Sequence, residues 1–227
     1  MDLIRGLVNL REAHRGAVVT LGTFDGVHRG HRVLIDETLQ LAQRLQRPAM
    51  MLTFEPMPRE AMNPGAPPPR LMSFRERWRV LERSALDMLC VLRFTPALRA
   101  QSGEQFMAML HDAFRISGVV VGHDFRFGHR GEAGPALLQQ GGQALGFAVS
   151  VLPAVLQEGQ RVSSSRIRAA LAAGEFATAS RLLGRPYTMR GRVVVGQRLG
   201  RTLGYPTANL RLERRRTPLA GIFAVRV

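Results

Sequence analysis

Short unbroken apolar runs alternate along this chain with longer stretches in which apolar residues return every third or fourth position. Residues 17–21 (AVVTL) form such a run and end in the turn-prone Gly22-Thr23-Phe24-Asp25-Gly26. Residues 31–45 then place Val33, Leu34, Leu41 and Leu45 at helical spacing. The unit recurs, predicting strands over 49–54, 88–94, 119–122 and 147–152 and helices over 74–84, 104–114 and 135–144. Strands without polar alternation are buried on both faces, so the pattern predicts a parallel, doubly wound α/β sheet with its ligand beyond the C-terminal strand ends.

After Val162 the texture changes. Ser163, Ser164 and Ser165 can cap a helix running through 167–173, and a second helix over 176–183 stops at Gly184. From Tyr187 the helical period gives way to glycine-separated strand-like runs at 192–195, 208–212 and 222–227, the start of an antiparallel β module. Three strands do not close a barrel. The sequence is therefore expected to be a fragment or truncated product. The proline-rich 64–70 (PGAPPPR) reads as a stiff connector, with a lid as the alternative.

Composition narrows the chemistry. All 32 basic residues among the 227 are arginines. Without lysine there is no Walker A loop, Schiff base or lysine-dependent kinase, so bound phosphate must be held by arginine, histidine, backbone amides or metal. The formal net charge is +15, of which +3 lies up to Gln160 and +12 after it. Nucleic-acid binding is the first reading of such a charge, but the arginines are scattered apart from Arg214, Arg215 and Arg216, which favours an enzyme with a basic surface. The single Cys90 lies in an apolar strand and is expected to be a buried core thiol. No apolar run approaches a membrane span and the N-terminus lacks a signal-peptide core, so a cytoplasmic protein is expected, with no membrane and no nucleic-acid partner.

The loop after the first predicted strand continues as His28-Arg29-Gly30-His31. Two imidazoles three residues apart at a helix start bring ring N–H groups and helix amides near one point, an anion site. A zinc pair or a merely capped helix start are the alternatives, and no cysteine cluster or His-Glu motif supplies further zinc ligands.

The string Gly-x-Phe-Asp-Gly-x-His-x-Gly-His resembles the His-x-Gly-His signature of the nucleotidyltransferase superfamily, in the version carried by prokaryotic bifunctional riboflavin kinase/FAD synthetases. Residues 121–128 (VGHDFRFG) are similar to that family's flavin-side segment and 162–168 (VSSSRIR) to its Ser-Ser-Thr-x-Ile-Arg motif. Residues 200–209 (GRTLGYPTAN) are similar to its kinase signature.

The resemblance implies a doubly wound, Rossmann-like nucleotidyltransferase domain over 1–184, followed over 185–227 by the N-terminal part of an antiparallel β-barrel kinase module. It implies joining of FMN and ATP into FAD with release of pyrophosphate and with Mg²⁺ between the phosphates. His28, His31 and Arg168 are then the expected catalytic residues, with Gly22, Phe24, Asp25, Gly30, Ser164, Ser165 and Arg161 on ATP. Asp124, Phe125 and Phe127 are expected at the flavin. On the kinase side Gly200 and Gly204 would lie against ATP phosphates, and Thr207 and Asn209 would bind Mg²⁺-ATP.

One position departs from the family. The segment Phe54-Glu55-Pro56-Met57-Pro58 carries methionine where many members have histidine, and Met57 cannot donate a hydrogen bond to phosphate. Riboflavin kinase activity is expected to be negligible, since the family's general-base glutamate does not occur before Val227. Adenylyl transfer to another phosphate-bearing cofactor precursor is the alternative enzyme reading, and an arginine-rich nucleic-acid binder the alternative from another class.

Overall fold

In the computed structural model, which describes residues 1–197, 199–202, 204–205 and 207–227 (Leu199 and Arg201 by backbone alone), the predicted strands become one parallel sheet. Asp2–Arg5 (β1), Val18–Leu21 (β2), Ala49–Glu55 (β3), Met88–Arg93 (β4), Gly118–Gly122 (β5) and Ala148–Leu152 (β6) pair in the order β1-β4-β3-β2-β5-β6. In register, Val19 of β2 stands between Met50 of β3 and Val119 of β5.

Alternate strand residues point to opposite faces, and each face has its own core. On one, Val19, Leu21, Met50, Leu52, Cys90 and Val119 pack against Phe106, Leu110 and Phe114 of the helix Gly103–Phe114 and Leu138 of the helix Pro135–Leu145. On the other, Val18, Met51, Leu89 and Val120 meet Ile35 and Leu41 of the helix Arg29–Leu45 (α1) and Leu81 of Phe74–Leu81 (α2). Ile167 and Leu171 of Ser164–Ala172 (α3) and Leu182 of Phe176–Leu183 (α4) complete that layer. Cys90 is buried as expected, and burial pushes its thiol up to about 12. No described helix is long and apolar enough to cross a membrane.

Strand β1 has no counterpart in the sequence prediction. It sits at the sheet edge with only Ile4 buried, so its pattern carries almost no apolar signal. The converse holds for 222–227, predicted as a strand from its apolar residues. The segment has no regular structure and pairs with no described strand, and Ile222, Val225 and Val227 stand exposed. Of the expected antiparallel barrel, the described residues show one two-stranded ladder, Arg192–Val194 with Asn209–Arg211.

Candidate active site

The chain leaves β2 to build β3 and β4 on one side of it and later returns to lay β5 on the other. The loops after β2 and β5 therefore diverge, opening a crevice at the C-terminal strand ends, the usual ligand position in such sheets. A cleft of about 650 Å³ lies there, walled by the 22–31 loop, the segment after β5 and the start of α3.

His28 is the N-cap of α1, and the two imidazoles are reciprocally tied. The His31 backbone N–H donates to His28 Nδ1 and the His28 N–H to His31 Nδ1, each at 3.3 Å. With both Nδ1 atoms accepting, each neutral ring carries its proton on Nε2, so the pair is set as two parallel donors. The rings stack at 3.5 Å between centroids, and Gly30 fits beneath them: a Cβ there would stand 3.3 Å from the His28 ring. Burial, then the positive charges of Arg161 and Arg185, hold His28 down to about 4 from 6.5. Burial, then His28 and Arg77, lower His31 as well.

Both rings are therefore neutral donors at neutral pH, and the sign of their linkage to stability follows. Below 6.5 an unfolded His28 takes up a proton that the folded ring refuses until about 4. The contribution is fully present above the unfolded value and is lost as pH falls toward the folded one, roughly 3 kcal/mol for this ring. Urea denaturation should show stability falling between pH 6.5 and 4.5, with a shallower fall in His28→Asn; equal slopes in the two proteins would contradict this origin.

The loop itself is over-determined. Phe24 and Val27 adopt φ of 49° and 40°, costly for an aromatic and a β-branched residue. Every carbonyl from Thr23 to Val27 is held. Arg77 donates to Thr23 O, Val27 N to Phe24 O at 3.1 Å, Ser164 Oγ to Asp25 O at 2.8 Å, and Arg185 to both Gly26 O and Val27 O. Gly26 is required, at φ 92° with a Cβ position only 2.7 Å from Leu71 Cδ1.

Asp25 is placed differently from a ligand-facing carboxylate. It is 1% exposed and does not line the cleft. Its carboxylate accepts the backbone N–H groups of Leu71 and Met72, each at 3.1 Å, and pairs with Arg168. Arg168 also donates to Pro69 O at 2.6 Å. Asp25 thus fastens a strap, residues 69–72, and aims Arg168, which does line the cleft.

The other adenylyl-site residues predicted from sequence are brought together. Gly22, Phe24, His28, Gly30 and His31 line one wall. Ser164, Ser165, Arg161 and Arg168 line a second, and Asp124, Phe125 and Phe127 a third. Phe125 and Phe127 stack at 5.6 Å; Phe127 is buried against Phe106 and serves as much as core as wall. Asp124 pairs with Arg161 across the opening.

Sequence reasoning missed further cations. Arg59, Arg99, Arg126 and Arg130 also line the cleft, giving, among the described residues, six arginines against one carboxylate, Asp124. Arg126 was within reach as the middle of Phe-Arg-Phe; the others carried no local signal. Met57 is buried outside the cleft, and Arg59, two residues on, lines it instead. Residues 64–70 do not line the cleft.

The kinase-side residues are elsewhere. Gly200, Gly204, Thr207 and Asn209 do not line the cleft. Thr207 and Asn209 are exposed; a Cβ at Gly196 would collide with the Asn209 side chain, and one at Gly200 would collide with Tyr205 O and stand 3.0 Å from Thr207 Cγ2. Leu203 and Pro206 of that signature lie outside the described residues.

Comparison with known proteins decides the family. The family model described as FAD synthetase matches residues 10–166 and that of riboflavin kinase residues 183–227. The bifunctional riboflavin kinase/FMN adenylyltransferase of Pseudomonas fluorescens is 43% identical over the whole chain, which spans 73% of that protein. The chain belongs to the bifunctional riboflavin kinase/FMN adenylyltransferase family.

The enzyme of that name in Escherichia coli K12 is 40% identical, again over all of this chain and 73% of its own length. A crystal structure described as a macrolide-efflux protein from Streptococcus pneumoniae superposes with a TM-score of 0.84 and 31% identity, covering 97% of this chain and 73% of that one. The chain thus has a nucleotidyltransferase-like α/β fold on a six-stranded parallel sheet, and it is an enzyme of FAD biosynthesis with part of the kinase domain present. ATP with FMN or riboflavin as substrates, and FAD as product, fit the family.

Proposed function

We propose that the cleft joins FMN to ATP with the Nε2–H groups of His28 and His31 as hydrogen-bond donors to the phosphate oxygens. An FMN phosphate oxygen attacks the α-phosphorus of ATP; a new P–O bond forms, the α–β bridging bond breaks, and pyrophosphate leaves. No protein nucleophile takes part. The site's work is to align two polyanions and stabilise the charge that develops on the α-phosphoryl oxygens. The observation that supports this most directly is the pair of Nε2–H donors fixed by their reciprocal Nδ1 bonds in a cleft that the described residues line with six arginines and one carboxylate.

In this reading the start of α3, with Ser164, Ser165 and Arg168, holds the ATP phosphates, and Arg161 joins them on release from Asp124. Phe125, Phe127 and Asp124 face the flavin, while Gly22, Phe24 and Gly30 shape the nucleotide wall. Asp25 positions Arg168 and does not itself touch ATP. Among the described residues there is no group of three His, Cys, Asp or Glu side chains that could hold a metal. Mg²⁺ is thus assigned chiefly to the phosphate oxygens, where it would offset repulsion between the substrates. On the kinase side the neutral oxygens of Thr207 and Asn209, backed by Gly200 and Gly196, fit a metal carried in on nucleotide, and Gly204, at φ 78° with open space around it, leaves room for the phosphates. We divide the chain into an adenylyltransferase domain, 1–184, and a kinase segment, 185–227, whose paired strands Arg192–Val194 and Asn209–Arg211 we assign to an antiparallel barrel. The assigned location is the cytoplasm.

The test is chromatography of FMN, ATP and Mg²⁺ incubated with the purified chain. FAD and pyrophosphate should appear in equal amounts; a folded protein that yields neither overturns the reading.

A further inference from the structure

We infer that Arg214, from the segment matched by the riboflavin kinase model, is a positioning residue of the adenylyl-transfer site, fixing the 69–72 strap that holds Asp25 and Arg168. The inference rests on the function proposed above.

Arg214 sits in a polar stretch with Glu213, Arg215 and Arg216 exposed, yet its own side chain is 0% exposed. It enters a socket in the first domain. Glu76, on α2, is 5% exposed and accepts three donors among the described residues: the Ser73 N–H at 2.6 Å, the Arg190 N–H at 2.7 Å, and Arg214 Nη2. Two of the three come from beyond residue 184. A carboxylate buried with a single local donor is strongly disfavoured, so the α/β domain carries a charge that the later segment must neutralise.

The other arm of the guanidinium reaches the strap. Arg214 Nη1 lies 3.0 Å from Leu71 O and 3.3 Å from Arg70 O, and the Tyr187 hydroxyl donates to Leu71 O at 3.2 Å. The strap is therefore held on both sides. Its amides at 71 and 72 go to Asp25, while its carbonyls at 70 and 71 go to Arg214 and Tyr187. Arg168 is bonded to the strap at Pro69 O and to Asp25, so a shift of the strap moves a cleft-lining guanidinium directly. Arg185, bonded to Gly26 O and Val27 O, is a second attachment of the same segment, to the loop just before His28.

Only a fork spans a carboxylate and two carbonyls at once; an ammonium group can satisfy the carboxylate but not the strap as well. This separates anchoring from positioning. In the full chain, Arg214→Lys should retain most of the thermal stability while raising KM for ATP by roughly 3- to 30-fold, with kcat and KM for FMN little changed. The double variant Glu76→Gln/Arg214→Gln, which leaves no buried unpaired charge, should show the same selective rise. Unchanged KM for ATP in both variants overturns the inference, as does an equal rise for both substrates, which would mean general loosening. If the parent chain makes no FAD, the functional reading fails instead. Calorimetric titration with ATP then still compares the parent with Arg214→Lys, equal affinities overturning the inference and weaker binding to the variant supporting it.

Discussion

Replacing His28 by asparagine is expected to lower kcat for FAD formation by about 10²- to 10³-fold, the usual cost of removing one preorganised donor from a developing oxyanion. Asparagine is the informative choice, since His28 has two jobs. As N-cap of α1 its Nδ1 accepts the His31 N–H, and asparagine is among the best residues for that task. The cap is kept while the Nε2–H donor is lost. Retained thermal stability with lost turnover would place the role on the donor. Alanine removes both, so His28→Ala should lose comparable activity and, in addition, about 1 kcal/mol of stability. Wild-type turnover in His28→Asn would show that the ring serves only to cap the helix.

Both histidines could be found in the sequence because their chemistry is local. A helix start, two imidazoles and an intervening glycine are all within four residues, and the cap geometry follows from that spacing. The central strands were legible for a similar reason: burial on both faces leaves no polar alternation in β2, β3 and β5. The edge strand β1 and the last predicted strand obeyed no such rule. β1 buries only Ile4, whereas 222–227 has a strand's composition with no neighbour to pair with among the described residues. What the sequence could not express was the wiring between distant loops. Asp25 bonds amides 46 and 47 residues away, and Arg77, Arg185 and Arg214 reach backbone carbonyls at still greater separations. Backbone groups have no residue identity to recognise, and an arginine aimed at a carbonyl looks like any other of the 32.

The same wiring makes Asp25 the position where substitution should cost most in stability. Asp25→Ala leaves the Leu71 and Met72 N–H groups without their acceptor and Arg168, whose side chain is 17% exposed, without its counter-ion. Breaking a buried pair from one side costs roughly 3–5 kcal/mol, read as a melting-temperature drop of about 6–20 °C for a chain of this size. Asp25→Asn keeps the Oδ1 that accepts both amides, gives up the charge that pairs with Arg168, and should lose less. The residual enzyme is the sharper test of the assigned role. If Asp25 acts by aiming Arg168, the folded fraction of Asp25→Asn should bind ATP weakly, and adding Arg168→Ala to it should cause little further loss, since both changes disable one unit. If Asp25 touched ATP independently, the two losses would multiply.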